Sequence, residues 1–155
     1  MSALNEEYRL RHFRCGELPE GIYEEVNFQC DSPQDCIDKV VAVMALVLQH
    51  DPDRWPSDDF WRDTLPEWLL QTFKSYTASE LSEILSDRSR WADTAWTVGS
   101  WLDRVRDRDW EWWSLFDKGD GKVTVYVAVQ GHPTSIKALE HLIAAAGGKI
   151  NGRSS

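Results

Sequence analysis

Residues 109–148, DWEWWSLFDKGDGKVTVYVAVQGHPTSIKALEHLIAAAGG, carry the strongest structural signal in this chain. A period of two predicts a β-strand with one buried face for the valines Val123, Val125, Val127 and Val129. The Trp-rich run over residues 110–116 predicts a second strand, and the Gly- and Asp-rich connection at residues 117–121 predicts a hairpin turn. A helical stripe that ends in Gly147 and Gly148 follows. The stretch therefore predicts a ββα unit.

The first thirty residues predict another hairpin. Residues 8–15 are the first expected strand, although several arginines interrupt it. Residues 22–30 are the second, because Ile22, Val26 and Phe28 share one face while polar residues occupy the other. This second pattern is typical of a half-buried strand.

Helical periodicity and capping signals fill most of the remaining chain. The expected helices cover residues 33–48, a short stretch after Thr64, another after Thr77, residues 91–105 and residues 136–146. Gly99 interrupts one of them and indicates a close contact with a neighbouring element. The predicted fold class is α+β: a small antiparallel sheet, made of the N-terminal hairpin and the hairpin over residues 110–130, packed against about four or five helices.

Length and composition indicate one domain over residues 1–155, with a frayed start at residues 1–7 and a disordered tail at residues 151–155. The net charge of −9 is unevenly distributed, since residues 1–117 sum to −12 and residues 118–155 to +3. A negative field repels nucleic acid and anionic membranes. It favours either simple solubility or a basic protein partner, and solubility is the commoner explanation.

We expect a cytoplasmic protein that does not enter a membrane. No secretory pattern follows Met1, and no apolar run approaches the ~20 residues that a spanning helix needs. The three cysteines, Cys15, Cys30 and Cys36, form an odd set and are expected to be free thiols.

Residues 50–64, HDPDRWPSDDFWRDT, are the best candidate for an exposed functional surface. Two prolines and five aspartates predict a loop. Tryptophan is enriched among the residues that dominate binding energy, so an acidic rim around an aromatic anchor suits a basic partner. The predicted partner-binding residues are Trp55, Asp58, Asp59, Trp61 and Asp63.

The sequence motifs give little support for a catalytic or metal site. The DKGDGKV loop lacks the ligand spacing of a calcium site, and the spacing of His12, Cys15, Cys30 and Cys36 matches no zinc site. The common nucleophile, phosphate-loop and zinc-protease motifs are missing, and His132 suits a plain turn position. A pair of aspartates beside aromatic rings could serve a glycosidase, but the chain is small for one. We therefore expect no enzyme activity, no cofactor and no metal.

The run over residues 108–148 resembles the closing part of small bacterial immunity proteins, which neutralise polymorphic toxins inside the cell. The shared features are a Trp-rich strand, a Gly/Asp turn, a Val-alternating strand and a capped helix that ends in Gly-Gly. The resemblance covers about a third of the chain, and it implies a cytoplasmic inhibitor that binds and occludes a cognate toxin. The family has varied folds, so it assigns no individual residue here.

Two other classes of function stay open. The chain could be a small-molecule-binding or hydrolytic domain that uses an aromatic and carboxylate cleft, or a structural partner in a larger assembly. A concave pocket with converging polar groups would favour the first of these. The sequence makes no prediction of the oligomeric state.

Overall fold

The structure is a computed structural model, which describes residues 3–74, 77–87, 96–131 and 134–154. The described chain contains seven α-helices, one 3-10 turn and four β-strands. In chain order they are α1 Ala3–His12, β1 Tyr23–Gln29, α2 Pro33–Leu48, the 3-10 turn Pro52–Arg54, α3 Asp58–Thr64, α4 Glu67–Leu70, α5 Ala78–Ser86, α6 Val98–Arg106, β2 Trp110–Gly119, β3 Lys122–Val129, α7 Lys137–Ala145 and β4 Lys149–Ser154.

The four strands form one antiparallel sheet in the order β2-β3-β1-β4. The predicted β2–β3 hairpin is present, with Trp112 opposite Val127. Its turn contains Asp120 and Gly121, whose φ angles are 56° and 78°. Glycine and aspartate tolerate this left-handed backbone better than most residues, which is why the turn falls here. The predicted α+β class is confirmed.

The predicted N-terminal hairpin is wrong. Residues 3–12 form α1, which takes in residues 3–7 of the expected frayed start and residues 8–12 of the expected strand. Glu7 and Arg11 lie one helical turn apart and form an ion pair at 3.4 Å. The strand that the hairpin was expected to pair, β1, lies instead in the middle of the sheet between β3 and β4.

α1 packs along the outer edge of β2 and bonds to the backbone there. A Glu6 carboxylate oxygen accepts a hydrogen bond from the backbone N–H of Trp112 at 2.8 Å. Arg9 lies 3.4 Å from the carbonyl oxygen of the same residue, and Arg108 donates to Glu6 at 2.8 Å. An edge strand otherwise presents unpaired backbone groups. Two side chains of α1 therefore occupy the place of a neighbouring strand.

The predicted disordered tail at residues 151–155 is also wrong for its described part. Residues 149–154 form β4, which pairs with β1 and places Ile150 opposite Phe28. The chain reverses after α7 at Gly147, whose φ is 106°, as the Gly-Gly ending predicted. A Cβ on Gly148 would lie only 2.9 Å from the Phe28 ring, so this return needs a residue without a side chain.

The core lies between the inner face of the sheet and the helices. Val26, Val125 and Val127 are fully buried on that face. The Trp101 indole N–H donates to the carbonyl of Ala138 at 2.9 Å and fixes α6 against α7. The predicted stripe of α7 is confirmed, because each of its members is buried: Ile136, Leu139, Leu142, Ile143 and Ala146.

The predicted helix starts have mixed outcomes. The capping box of Thr77 and Glu80 is present at the start of α5. The box predicted at Thr64 is wrong, because Thr64 is the last residue of α3 and α4 starts only after Pro66. The helix expected over residues 91–105 is observed from Val98 onward as α6. Residues 96 and 97 precede the helix, with Thr97 as its N-cap, and residues 91–95 lie outside the described residues.

Candidate functional site

The segment predicted to bind a partner, residues 50–64, is a 3-10 turn followed by α3 rather than a loop. Ser57 caps α3, because its hydroxyl accepts a hydrogen bond from the backbone N–H of Phe60 at 3.4 Å. Asp58 and Asp59 occupy the first turn, where the helix dipole favours negative charge. The Ser-Asp-Asp sequence could have revealed this helix, but the surrounding prolines favoured a loop.

The five predicted partner-binding residues fall into two groups. Asp58, Asp59 and Asp63 are exposed and share one short helix. Trp61 is 0% exposed, so the prediction that it is a surface anchor is wrong. Trp55 is half-buried. The three carboxylates therefore lie on the surface, and the two tryptophans lie mainly beneath it.

Helical periodicity explains the burial of Trp61. Trp61 and Leu65 lie four residues apart and both are buried, so they face inward together. The Trp61 ring lies 5.0 Å from that of Trp55 and 5.1 Å from that of His50, measured between centroids. Phe60, whose ring lies 5.4 Å from that of Trp61, is 39% exposed. Phe60 therefore takes the position that the sequence assigned to the tryptophans.

Local contacts hold two of the α3 aspartates. A Cβ on Gly99 would lie 3.1 Å from Oδ2 of Asp58, so the contact that Gly99 predicted is confirmed. Asp59 forms a loose ion pair with Arg62 at 3.8 Å, and both side chains are well exposed. Pairs of this kind contribute little because water and salt screen them. With five aspartates and two arginines, residues 50–64 keep a net charge of −3.

An apolar groove of about 320 Å³ opens beside the last residue of α3. The Nζ atom of Lys39 lies 5.6 Å from the centre of the Trp68 ring at this groove. Its apolar part is formed by residues of α2 and of the chain that follows α3, namely Ala42, Val43, Leu46, Pro66 and Trp68. The groove gives the acidic surface an apolar neighbour that could accept a partner side chain.

Two further grooves, of about 480 and 360 Å³, share Pro52 and Arg108 in their walls. Arg108 is bound to Glu6 and to the carbonyl of Val105, so its guanidinium already has structural partners. None of the five predicted partner-binding residues lines any of these three grooves. The alternative of an aromatic and carboxylate cleft needs those residues in a concave site, and these grooves do not supply it.

A second surface, which the sequence did not indicate, lies on the outer face of the sheet. Tyr23 and Phe116 are 37% and 39% exposed there. Ile22 was expected on the buried face of the strand. It is in phase with the buried Glu24 and Val26, but β1 begins one residue later, so Ile22 lies beyond the end of the strand and is 48% exposed.

The three cysteines are free. Cys30 and Cys36 are buried as neighbours at the end of β1 and the start of α2, and Cys15 is exposed. Burial and the adjacent Cys30 thiol raise the pKa of Cys36 to about 12, so this sulfur stays protonated and unreactive. Cys15 forms a single antiparallel β-bridge with Phe116 of β2.

His141 is half-buried between α7 and the chain after α4. Its ring stacks on Phe73, with centroids 5.0 Å apart, and its Nε2 lies 2.9 Å from the Thr72 hydroxyl. That hydroxyl donates its proton to the carbonyl of Leu69, so Nε2 carries the hydrogen of the His141 contact. Burial lowers the pKa of His141 below its ordinary value of 6.5, because the charged ring loses water.

This histidine predicts a pH dependence of stability. Well above pH 6.5 the His141 ring is neutral in both the folded and the unfolded chain. As the pH falls, the unfolded chain binds a proton at a higher pH than the folded chain does. The free energy of unfolding should therefore fall as the pH drops through this range. We expect the urea midpoint to fall more for the native chain than for His141→Phe between about pH 7.5 and about pH 5.5. If the urea midpoint changes equally for the two proteins, His141 does not cause the pH dependence of stability.

Among the described residues, no three His, Cys, Asp or Glu side chains are placed to hold a metal ion. No helix in the same part of the chain has both the length and the apolar character to cross a bilayer. His132, considered above as a turn residue, lies outside the described residues. Comparison of the chain with protein-family models, curated proteins and solved structures found no match.

Proposed function

We propose that this chain acts by binding a basic protein through α3, without making or breaking covalent bonds. The observation that carries this proposal is the outward presentation of Asp58, Asp59 and Asp63 around the exposed ring of Phe60. Aromatic anchors surrounded by polar groups are typical of the residues that dominate binding energy. The surface therefore combines an attractive field with a contact point.

The aromatic base of α3 supports this proposal physically. The Trp61 ring packs against the rings of Trp55 and His50, with centroid distances of 5.0 and 5.1 Å. A rigid surface loses less conformational freedom on binding than a flexible loop, so more of the contact energy appears as affinity. The buried Trp61 acts as a support for the interface rather than as a contact.

The exposure of the carboxylates favours binding over hydrolysis. A catalytic acid needs a shielded environment that raises its pKa, together with a concave site for the substrate. Asp58, Asp59 and Asp63 lie in contact with solvent instead. Solvated carboxylates act well as long-range attractors that increase the rate of association.

We propose further that the partner is a bacterial toxin and that this chain is its cytoplasmic immunity protein. The resemblance of residues 108–148 to such proteins motivates the assignment, and the net charge of −9 suits a basic target. The probe is the protein encoded by the reading frame directly upstream of this gene, expressed alone and together with this chain. The upstream protein alone should stop growth, and co-expression should restore it. Unrelieved toxicity, or no inhibition by the upstream protein, would contradict the assignment.

The aspartates of α3 should control the rate of encounter. We expect the triple variant Asp58→Asn, Asp59→Asn and Asp63→Asn to associate with the upstream-encoded protein about 10-fold more slowly at low salt. The difference should nearly vanish at about 1 M salt, because screening then acts within ~3 Å. Stopped-flow mixing or surface plasmon resonance measures both rates.

A matched variant separates local charge from net charge. Asp31→Asn, Asp109→Asn and Asp120→Asn also remove three exposed carboxylates, but none of them belongs to α3. We expect this control to retain most of the native association rate. If both triple variants slow association equally, only the total charge matters and α3 is not the interface.

A further inference from the structure

The apolar groove beside α3 continues to the exposed Phe60 ring. Thr64 lines the groove one helical turn from Phe60 and donates a hydrogen bond to its carbonyl at 2.7 Å. The Phe60 ring meets that of His50, just after α2, with centroids 5.2 Å apart. At the other end, Nζ of Lys39 lies 5.6 Å from the centre of the Trp68 ring. From Lys39 to His50 the groove and the ring together span about 16 Å, at 1.5 Å per helical residue.

The floor of this groove is apolar but stays in contact with solvent. Ala42 and Leu46 lie one helical turn apart and therefore share a face of α2. Ala42 is exposed, and Leu46 and Trp68 are only half-buried. Small-molecule sites instead bring several polar groups together inside a concave pocket. The apolar floor therefore suits the side chains of another macromolecule better than a small ligand.

The two sides of the groove are acidic. The exposed carboxylates stand on both of them: Asp35 and Asp38 on α2, and Asp63 and Glu67 next to residues of the opposite wall. Among the described residues that line the groove, Lys39 is the only cation, and it forms an ion pair with Asp35 at 3.2 Å. Residues 35–46 and 63–68 together hold four carboxylates and one lysine, a net charge of −3.

An apolar floor between two acidic sides is complementary to a cationic amphipathic helix. Such a helix carries one apolar stripe along its axis and places its charged side chains on both flanks of that stripe. Three turns of a helix cover about 16 Å, which matches the length from Lys39 to His50. Helices that bind in apolar grooves use anchors three or four residues apart, whereas an extended peptide adds to the edge of a sheet. The described walls of this groove are α2, the end of α3 and α4, so a helix is the better fit.

We propose that this groove receives a cationic amphipathic helix of the partner, with its apolar side chains against Leu46, Trp68 and Phe60. The inference rests on the proposed function, which places a basic protein on α3, and it adds the element of that protein that makes the contact. Basic side chains on the two flanks of the helix then face the carboxylates of both walls. Lys39 opposes this occupant, because it brings a positive charge to the same groove.

A model peptide tests the groove without the partner itself. The probe is a helical peptide of roughly 18 leucines and lysines whose leucines form one stripe, and its control has the same composition with the leucines spread around the helix. In fluorescence anisotropy at about 0.15 M salt, the amphipathic peptide should bind about 10-fold more tightly than its control, because only its stripe can cover the apolar floor. Equal affinities, or no binding of either peptide, would overturn the proposal.

A substitution that fills the groove tests where the peptide lies. Ala42→Phe adds a ring from an exposed position of α2, and it should weaken binding of the amphipathic peptide about 10-fold or more. Ala144→Phe is the matched control, because Ala144 is an exposed alanine of α7 that does not line the groove, and it should retain the native affinity. Far-UV circular dichroism verifies that each variant is folded. Equal affinities of the two variants would place the peptide elsewhere and overturn the proposal.

A change of charge tests the sign of the occupant. Lys39→Gln should bind the amphipathic peptide about 3-fold more tightly than the native chain, because it removes the cation that opposes the peptide. Lys137→Gln removes an exposed lysine of α7 and should change the affinity less. If Lys39→Gln binds the peptide more weakly than the native chain, the groove does not receive a cationic helix.

The upstream-encoded protein separates this inference from the proposed function. If it binds the native chain and the Ala42→Phe variant equally tightly, the proposed function stands and the role of the groove is overturned. If it does not bind the native chain, the proposed function fails, and the peptide affinities still decide whether the groove receives a cationic helix. Loss of its binding in Ala42→Phe but not in Ala144→Phe supports both.

Discussion

Replacement of Glu6 by alanine should destabilise the fold by about 3–5 kcal/mol, because it removes the carboxylate partner of the largely buried Arg108 side chain. Glu6 is 3% exposed, and it accepts hydrogen bonds from both Arg108 and the backbone N–H of Trp112 at 2.8 Å. Burial raises the pKa of the Glu6 carboxyl, and the positive charge of Arg108 opposes that shift. The substitution also exposes the edge of β2. Urea unfolding followed by fluorescence measures the loss.

Two neighbouring variants make this result specific. Glu7→Ala changes a more exposed carboxylate on the same helix, and it should lose less than about 1 kcal/mol. Glu6→Gln keeps an oxygen acceptor for the Trp112 N–H but leaves Arg108 unpaired, so its loss should be intermediate. If Glu6→Ala is no less stable than Glu7→Ala, α1 does not protect the sheet edge in the way described.

Replacement of Trp61 by alanine should also destabilise the fold by about 3–5 kcal/mol, since it removes a large buried ring. Trp61 is 0% exposed and contacts Trp55, His50 and Phe60. The cavity beneath α3 would loosen the acidic surface as well. Unfolding in urea and the near-UV circular dichroism of the tryptophans measure both effects.

Phe60→Ala is the matched control for Trp61, because the two rings are adjacent but differ in exposure. We expect Phe60→Ala to keep most of the stability and to weaken partner binding by about 2 kcal/mol, or about 30-fold. The opposite outcome, a stable Trp61→Ala that fails to bind and a Phe60→Ala that binds normally, would return Trp61 to the role of surface anchor. The two variants therefore distinguish a residue that stabilises α3 from a residue that contacts the partner.

Local sequence signals predicted the parts of this fold that local physics determines. The β2–β3 hairpin follows from the alternation of Val123–Val129 positions and from a turn that Asp120 and Gly121 make favourable. The stripe of α7 and its end at Gly147 follow in the same way. Each of these features depends on residues close together in the chain.

The errors occurred where distant contacts decide the structure. The contact between Glu6 and the backbone of Trp112 joins residues 106 positions apart, so no local pattern indicates that α1 covers the sheet edge. The burial of Trp61 depends on which side of α3 meets the core. The path of residues 16–22 depends on hydrogen bonds from Ser114 and Val129, which are distant in the chain.

The proposed function depends mainly on α3 as the binding surface. Amide hydrogen exchange of this chain, measured with and without the upstream-encoded protein, tests that claim directly. We expect the largest gain in protection at residues 58–64, with a smaller gain beside the apolar groove at Trp68. Protection confined to other parts of the chain, with α3 unchanged in the complex, would contradict the account.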